Sequence, residues 1–293
     1  MAERRAQLTY ELPTEEVRLP LGTRFPAEVA RAIDLARIAG AEVVRMRRGE
    51  LGVEMKTGNE PVTVADRRAS EIIVEGIATA FPADPVVSEE LAPDAHAFEK
   101  QRLWLVDPID GTKDYIRGWD GFSVMIGLCV DGRPTMGVVH QPTLDRTFFA
   151  TPDGGAHVLH AGKLAPLAVS KIAGAAQARL VSSASHRSSD VDKVKEQLGI
   201  DDEQQVGSVG VKLCLIASGV RDLYVNPSAK TKAWDTCAPE AILGRAGGRL
   251  TDLFGAPIEY GGTLQHRRGL VASNGVIHDE VVTKLAPLFG HLK

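Results

Sequence analysis

The stretch from residue 122 to residue 160 constrains the fold most. Residues 122–130 form an apolar run, Asp131-Gly132 follows, and residues 135–140 resume an extended pattern. An Asp-Gly pair between two such runs is a hairpin signal, because the favoured two-residue turns need positive φ. Residues 147–150 and 156–160 flank a second turn at Asp153-Gly154-Gly155. The chain must therefore build an antiparallel meander here. After about Ala175 the texture changes to alternating elements: a strand at 179–183, helices at 190–198 and 210–219, a strand at 222–226, a helix at 236–246, a strand at 249–253 and a helix at 278–289. An antiparallel first half followed by α/β alternation predicts an α+β chain with two subdomains and a cleft between them. The expected divisions are an arm over 1–22, one subdomain over 23–175 and a second over 176–293.

Ahead of the meander, Val29, Ile33, Ala36, Val43 and Val44 recur on one helical face over 26–48, and Gly40 on that face would permit close packing. A second helix is expected over 65–81, with Ile72, Ile73 and Ile77 as its stripe and Pro82 beyond its end. A short strand at 85–87 leads into Ser88-Glu89-Glu90. The strand at 104–106 then meets Asp107-Pro108-Ile109-Asp110-Gly111-Thr112. Pro108 lacks a backbone donor and is expected to end that strand at Asp107. Gly111 permits the tight turn after it. Both carboxylates, the Ile109 carbonyl and the Thr112 hydroxyl could then converge on one small volume, an oxygen cluster suited to Mg²⁺. An isolated Asp-x-x-Asp is more often an acidic turn.

Three further acidic motifs give that cluster company. Asp66 opens the second helix and Asp235 opens the helix after Trp234; each also reads as a helix cap. Glu89 and Glu90 end a strand, and if the extended geometry persists only one of them faces a cleft. Asp66, Glu89, Asp107, Asp110 and Asp235 gathered together would raise one another's pKa values unless cations were present. Two or three Mg²⁺ ions would offset that charge and leave the site attractive to phosphate.

Composition narrows the alternatives. A net charge of −4 argues against a general nucleic-acid or acidic-membrane surface. The three cysteines, Cys129, Cys214 and Cys237, lie in apolar or helical contexts and read as reduced packing residues. The first 23 residues are charged and carry no apolar segment of the kind a signal peptide needs, so a cytoplasmic protein is expected. His140, His157, His160 and His266 show no metal-ligand spacing and are expected at the surface. Arg267-Arg268 and residues 45–48 read as solvated basic faces.

Four motifs in order, Pro61-Val62-Thr63-Val64-Ala65-Asp66, Ser88-Glu89-Glu90, Asp107 to Thr112, and Trp234-Asp235-Thr236-Cys237-Ala238, resemble those of the inositol monophosphatase superfamily of Mg²⁺-dependent, lithium-sensitive phosphatases. The resemblance covers about 26–290 and implies a layered αβαβα sugar-phosphatase-like fold with its active site in the cleft between two subdomains. It implies that Glu89, Asp107 and the Ile109 carbonyl hold a first metal. Asp107, Asp110 and Asp235 would hold a second, and Glu89 would help hold a weaker third. Thr112 backed by Asp66 resembles the pair that positions and deprotonates the attacking water.

Lys113, the run Gly207-Ser208-Val209-Gly210-Val211-Lys212, the stretch from Trp234 to Glu240, the stretch from Gly247 to Asp252, and Ser185-His186 resemble the 3′(2′),5′-bisphosphate nucleotidase branch. Gly111, Thr112, Ser185, His186, Ser208, Lys212 and Asp235 are then the expected substrate-binding positions. Lys212 reads either as a phosphate contact or as a solvated helix lysine, and His186 as a nucleotide contact or a loop histidine. The implied reaction converts 3′-phosphoadenosine 5′-phosphate to AMP and phosphate, clearing a by-product of sulfate assimilation. An inositol or sugar-phosphate phosphatase and a catalytically silent nucleotide- or metal-binding homologue are the alternatives. The expected partner is a small phosphorylated nucleotide, with no nucleic-acid polymer and no membrane, and with the chain a monomer or homodimer.

Overall fold

The apolar stripe at the start of the domain folds as helix α1 (Pro26–Met46), with proline in its first turn and Val29, Ile33, Ala36 and Val43 buried. A hairpin of β1 (Glu54–Lys56) and β2 (Glu60–Val62) leads into α2 (Val64–Ala80). Thr63 caps α2. Its hydroxyl accepts from the Ala65 and Asp66 amides, and the Asp66 carboxylate accepts from the Thr63 amide. The computed structural model describes residues 19–20, 23–56, 58, 60–91, 96–185 and 188–293. His186 and nearly all of the expected arm therefore lie outside the described residues.

The meander forms a seven-stranded sheet in sequence order: β3 (Val86–Ser88), β4 (Arg102–Asp110), β5 (Ser123–Val130), β6 (Arg133–Gln141), β7 (Arg146–Thr151), β8 (Gly155–His160) and β9 (Lys163–Pro166). Only β3 and β4 pair in parallel. A five-residue helix, α3 (Thr112–Ile116), follows β4. The second sheet draws on β10 (Leu180–Ser183), β11 (Glu203–Val206), β12 (Leu223–Asn226), β14 (Arg249–Thr251) and β16 (Leu270–Ser273), in the order β11-β10-β12-β16-β14. A two-stranded ribbon pairs β13 (Thr231–Lys232) with β15 (Gln265–His266). The α-helices among the described residues also include α4 (Ser189–Leu198), α5 (Val209–Ala217), α6 (Ala233–Arg245) and α7 (His278–Leu285).

Strand alternation sorts the core into layers. Trp104, Val106, Val124, Ile126 and Val138 face α1 and α2, whereas Leu103, Leu105, Met125, Cys129 and Val139 face α5 and α6. The other side of α5 and α6 meets Val181, Tyr224 and Ala272 of the second sheet. Its outer face, with Leu180, Leu223, Val225 and Val271, is covered by α4 and α7. The order is thus helix, sheet, helix, sheet, helix, the αβαβα arrangement. Helix α6 sits unusually close to the first sheet: a Cβ on Gly137 would lie 2.1 Å from the Ala238 carbonyl oxygen, and one on Gly127 2.8 Å from Cys237 Sγ. Those two glycines let the helix that carries Asp235 approach the sheet that carries Asp107.

Several expectations are corrected. Strand β4 does not stop at Asp107: its register with β5 shifts between Asp107 and Asp110, and pairing resumes at Asp110 with Ser123. The missing Pro108 donor is absorbed in that bulge. His140 and His266 are buried, not superficial. His140 Nδ1 lies 2.9 Å from Thr147 Oγ1, and His266 Nε2 lies 2.8 Å from Thr236 Oγ1. Burial lowers the pKa of both to about 4, so they are neutral packing groups. A Cβ on Gly40 would lie 2.6 Å from Cδ2 of the His140 ring, so the expected close packing on α1 is present. Arg268 pairs with Asp252 at 3.0 Å and is not simply solvated. Helix α6 begins at Ala233 rather than 236, and strands β11 and β16 were not expected from the sequence.

Candidate active site

The site is built at the corner where β4 turns into α3. Gly111 occupies the left-handed region at φ 95°, and a Cβ there would come within 2.9 Å of the Gly121 carbonyl oxygen and 3.2 Å of the Ser208 amide nitrogen. The corner therefore closes only with glycine, and it sets Thr112 at the head of α3. Thr112 Oγ1 is 3.2 Å from Asp66 Oδ1 and 3.0 Å from the Ile109 carbonyl oxygen, so its one proton is shared between two acceptors. The other Asp66 oxygen accepts from the Thr63 amide at 2.8 Å and the Thr63 hydroxyl at 2.6 Å. Burial raises the Asp66 pKa to about 6; the Thr63 hydrogen bonds oppose that shift, and Glu90 and Glu89 add to it. Asp66 is both a helix cap and the acceptor behind Thr112.

Asp110 is fixed by the opposite wall. Its Oδ2 accepts from the Ser208 hydroxyl and, at 2.8 Å, from the Gly210 amide at the start of α5. Ser208 Oγ also lies 2.9 Å from Ser123 Oγ and caps the Val211 amide at 2.9 Å. Lys212 is only 1% exposed. Its ammonium donates to the Val206 and Gly207 carbonyls at 3.1 and 2.7 Å and sits 5.2 Å from the Tyr224 ring centre. Burial lowers its pKa to about 8, against the pull of Asp110, Asp114 and Asp235. It is a buried countercharge behind the carboxylates that also straps down residues 206–207, not a solvated helix lysine.

Asp107, Asp110 and Asp235 crowd one another. Asp107 is pushed far up by burial, then by Glu89, Asp110, Asp235 and Asp66. Asp235 is pushed up by burial, then by Asp110 and Glu89. Asp110 is raised by burial, which Lys212, Ser208 and Gly210 offset in part. Asp235 Oδ2 accepts from the Lys232 amide at 2.7 Å, so it too is a helix cap. The Lys56 ammonium in β1 lies 3.0 Å from Glu89 Oε1 and also contacts Glu90 Oε1. The chain turns after β3, so both glutamates reach that one cation instead of diverging.

Among the described residues, no three acidic, histidine or cysteine side chains stand together as a ready-made ligand group. Each carboxylate is turned in part onto a protein donor: Asp107 Oδ1 on the Ile109 amide, Asp110 Oδ2 on Ser208 and Gly210, Asp235 Oδ2 on Lys232. Asp107 Oδ2 and Asp235 Oδ1 accept no hydrogen bond from the described residues. Buried hard oxygens that repel one another, each with one oxygen anchored, fit a divalent cation reached by side-chain rotation.

One residue that sequence reasoning missed is Asp114. It is buried on α3, where Oδ1 accepts from the Ser185 hydroxyl at 3.0 Å and Oδ2 from the Gly207 amide at 3.0 Å. It joins α3 to both candidate substrate loops. Its position three residues after Gly111 was the available signal, but its partners are distant in sequence.

Residues 26–288 match the model of the inositol monophosphatase family. The chain belongs to that family. Among curated family relatives, it is 36% identical over 234 residues to the 3′(2′),5′-bisphosphate nucleotidase CysQ of Shigella flexneri, covering 77% of this chain and 91% of the relative. It is 33% identical over 250 residues to the histidinol-phosphatase of Mycobacterium tuberculosis, covering 83% and 92%. Among solved structures, the Thermotoga maritima IMPase superposes with a TM-score of 0.78 at 27% identity, over 91% of this chain and all of that one. Its class is therefore that of an inositol monophosphatase-family phosphatase, of a family generally dependent on metal. No helix among the described residues is long and apolar enough to cross a membrane.

Proposed function

We propose that the chain is a Mg²⁺-dependent phosphomonoesterase that cleaves the 3′-phosphate from 3′-phosphoadenosine 5′-phosphate, giving AMP and phosphate. The observation that carries the reading is the Thr112–Asp66 hydrogen bond set beside a cluster of mutually repelling buried carboxylates. Glu89, Asp107, Asp110, Asp235 and the Ile109 carbonyl are the groups that would hold two or three Mg²⁺ ions. When bound, the cations supply positive charge that lowers the pKa of water and balances the phosphoryl oxygens and the departing 3′-oxygen.

The protein's own part is orientation and proton handling. A water that donates to Thr112 Oγ1 can pass its proton by way of that hydroxyl to Asp66 Oδ1, 3.2 Å away. Burial gives Asp66 a pKa near enough to neutrality for that task. The water oxygen bonds to phosphorus, the bond from phosphorus to the 3′-oxygen breaks, and the leaving oxygen takes up a proton. Gly111 and Ser208 form the wall against which the phosphoryl group would rest, Lys212 supports it from behind, and Ser185 lines the cleft next to α3. The two subdomains, 23–175 and 176–293, would contribute opposite walls.

Support for the nucleotide substrate comes from the CysQ relatives and from the lysine and Ser-His positions noted in the sequence. The histidinol-phosphatase relative favours a second reading, a monoesterase for another small phosphate ester. Phosphate release with Mg²⁺ from 3′-phosphoadenosine 5′-phosphate, inositol 1-phosphate and histidinol phosphate, measured side by side, separates them. The nucleotide should have the highest kcat/KM; a higher value for either of the others would replace the substrate assignment.

A further inference from the structure

The far end of α3 carries a pair of residues that the metal and proton chemistry does not use. Trp119 is 51% exposed, yet its backbone is held at both ends: its amide donates to the Asp114 carbonyl at 2.9 Å, and its carbonyl accepts from Arg47 Nη1 at 3.0 Å. A large aromatic that is fixed in place and still half in water has a surface to offer. Arg117 lies over it, with its guanidinium carbon 5.0 Å from the ring centre. Arg117 Nη1 also lies 3.4 Å from Ser185 Oγ, the hydroxyl that is itself held by Asp114. No carboxylate among the described residues forms an ion pair with Arg117. Its charge is thus held in place by a ring and a hydroxyl, with no carboxylate among the described residues to neutralise it.

The distance suits a substrate with two phosphates. Arg117 follows Thr112 by five residues, about 8 Å along the helix axis. A nucleoside 3′,5′-bisphosphate anchored by one phosphate at Thr112 can extend its other phosphate that far. In a chain of net charge −4 with an acidic cleft, a second phosphate dianion needs a cation of its own. Arginine meets phosphate with paired N–H donors, and an aromatic face accepts a base by stacking.

We propose that Arg117 binds the phosphate that is not cleaved and that Trp119 offers its face to the base, so that this pair sets the preference for bisphosphate nucleotides. The inference rests on the nucleotidase reading above. It makes Arg117 and Trp119 substrate-binding residues and assigns them no role in the chemical step.

The test compares turnover of 3′-phosphoadenosine 5′-phosphate with that of adenosine 3′-monophosphate, in the wild type and in Arg117→Ala, Arg117→Lys and Trp119→Ala. Arg117→Ala should raise KM for the bisphosphate about 10- to 100-fold, the worth of a charge-assisted contact, with a loss at least about tenfold smaller for the monophosphate. Arg117→Lys should restore part of the difference. Because Trp104 is fully buried and Trp234 only 5% exposed, AMP should quench mainly the Trp119 fluorescence, and Trp119→Ala should abolish the change. A wild-type enzyme with no preference for the bisphosphate would overturn both this proposal and the nucleotidase reading. A preference that survives Arg117→Ala intact would overturn this proposal alone, and an unquenched wild type would remove Trp119 from it.

Discussion

Replacing Gly137 with alanine tests whether the site depends on how closely α6 approaches the first sheet. A Cβ at Gly137 would lie 2.1 Å from the Ala238 carbonyl oxygen, 2.6 Å from its Cα and 2.7 Å from its carbonyl carbon. All three are backbone atoms, so no side chain can swing away to relieve the clash. Either β6 or α6 must yield, by roughly 1 Å if the helix takes it all, and overpacking of this kind costs about 1–3 kcal/mol. At about 2–4 °C per kcal/mol, the melting temperature should fall by roughly 2–12 °C. Asp235 lies three residues before Ala238 on the same helix, so a displaced α6 displaces a carboxylate of the proposed site. Misplacement by about 1 Å can cost on the order of 100-fold in rate, a larger effect than the stability loss alone implies for a protein still folded at assay temperature. Gly244, on the same helix, is the control: it is exposed and a Cβ there meets nothing within 4 Å. Gly244→Ala should stabilise by up to about 1 kcal/mol through helix propensity and leave turnover alone. The assays are thermal unfolding and steady-state phosphate release. Wild-type stability and turnover in Gly137→Ala would refute the close-packing account.

Activity should fall with acidification once pH drops below about 6, because Asp66 must be ionised to accept the proton and its pKa is raised to about 6. Asp66→Asn should remove that limb and lower kcat by about 10²- to 10⁴-fold; an unchanged pH–rate profile would exclude Asp66 as the acceptor. The same shift has the opposite sign for stability: the contribution from protonated Asp66 is present below its unfolded value of 3.8 and is lost as pH rises through about 6. Asp222 is fully buried and takes hydrogen bonds from Arg179 Nε at 2.8 Å, Nη2 at 2.9 Å and the Arg179 amide at 2.8 Å. Asp222→Ala should cost about 3 kcal/mol or more in urea unfolding, and a loss under about 1 kcal/mol would show the pair to be dispensable. Lys212→Met keeps volume but removes the ammonium that holds the Val206 and Gly207 carbonyls, so phosphate release should fall for every ester tested; a loss confined to bisphosphates would instead place Lys212 on the second phosphate.

Much of the layout was legible because it rests on local signals. The Asp131-Gly132 turn, the stripe of Ile72, Ile73 and Ile77, and the apolar run of β5 with the extended pattern of β6 each follow from period and turn chemistry. The acidic motifs carried a second local signal: Asp66 and Asp235 stand third in their helices, where a carboxylate caps the backbone. A cap takes up one carboxylate oxygen and leaves the other available to the proposed site. What escaped is what long-range packing decides. Asp114 owes its place to Ser185 and Gly207, and His266 to Thr236 on another element. Strand β11 reads Glu-Gln-Gln-Val and becomes a strand only by pairing in parallel with β10. Pro108 was a sound reason to end β4, but a register shift kept the strand going.

The account turns on Asp107, Asp110 and Asp235 forming a cation site, and the most direct measurement is the melting temperature as Mg²⁺ is titrated into the wild type, Asp107→Ala and Asp235→Ala. The wild type should gain stability with concentration, by about 2.7 kcal/mol at a hundred times the dissociation constant. Both variants should lose most of that gain. In the absence of divalent cation, Asp107→Ala should be no less stable than the wild type, because it removes a buried carboxylate that its neighbours repel. The same Mg²⁺-dependent rise in all three proteins would contradict the account.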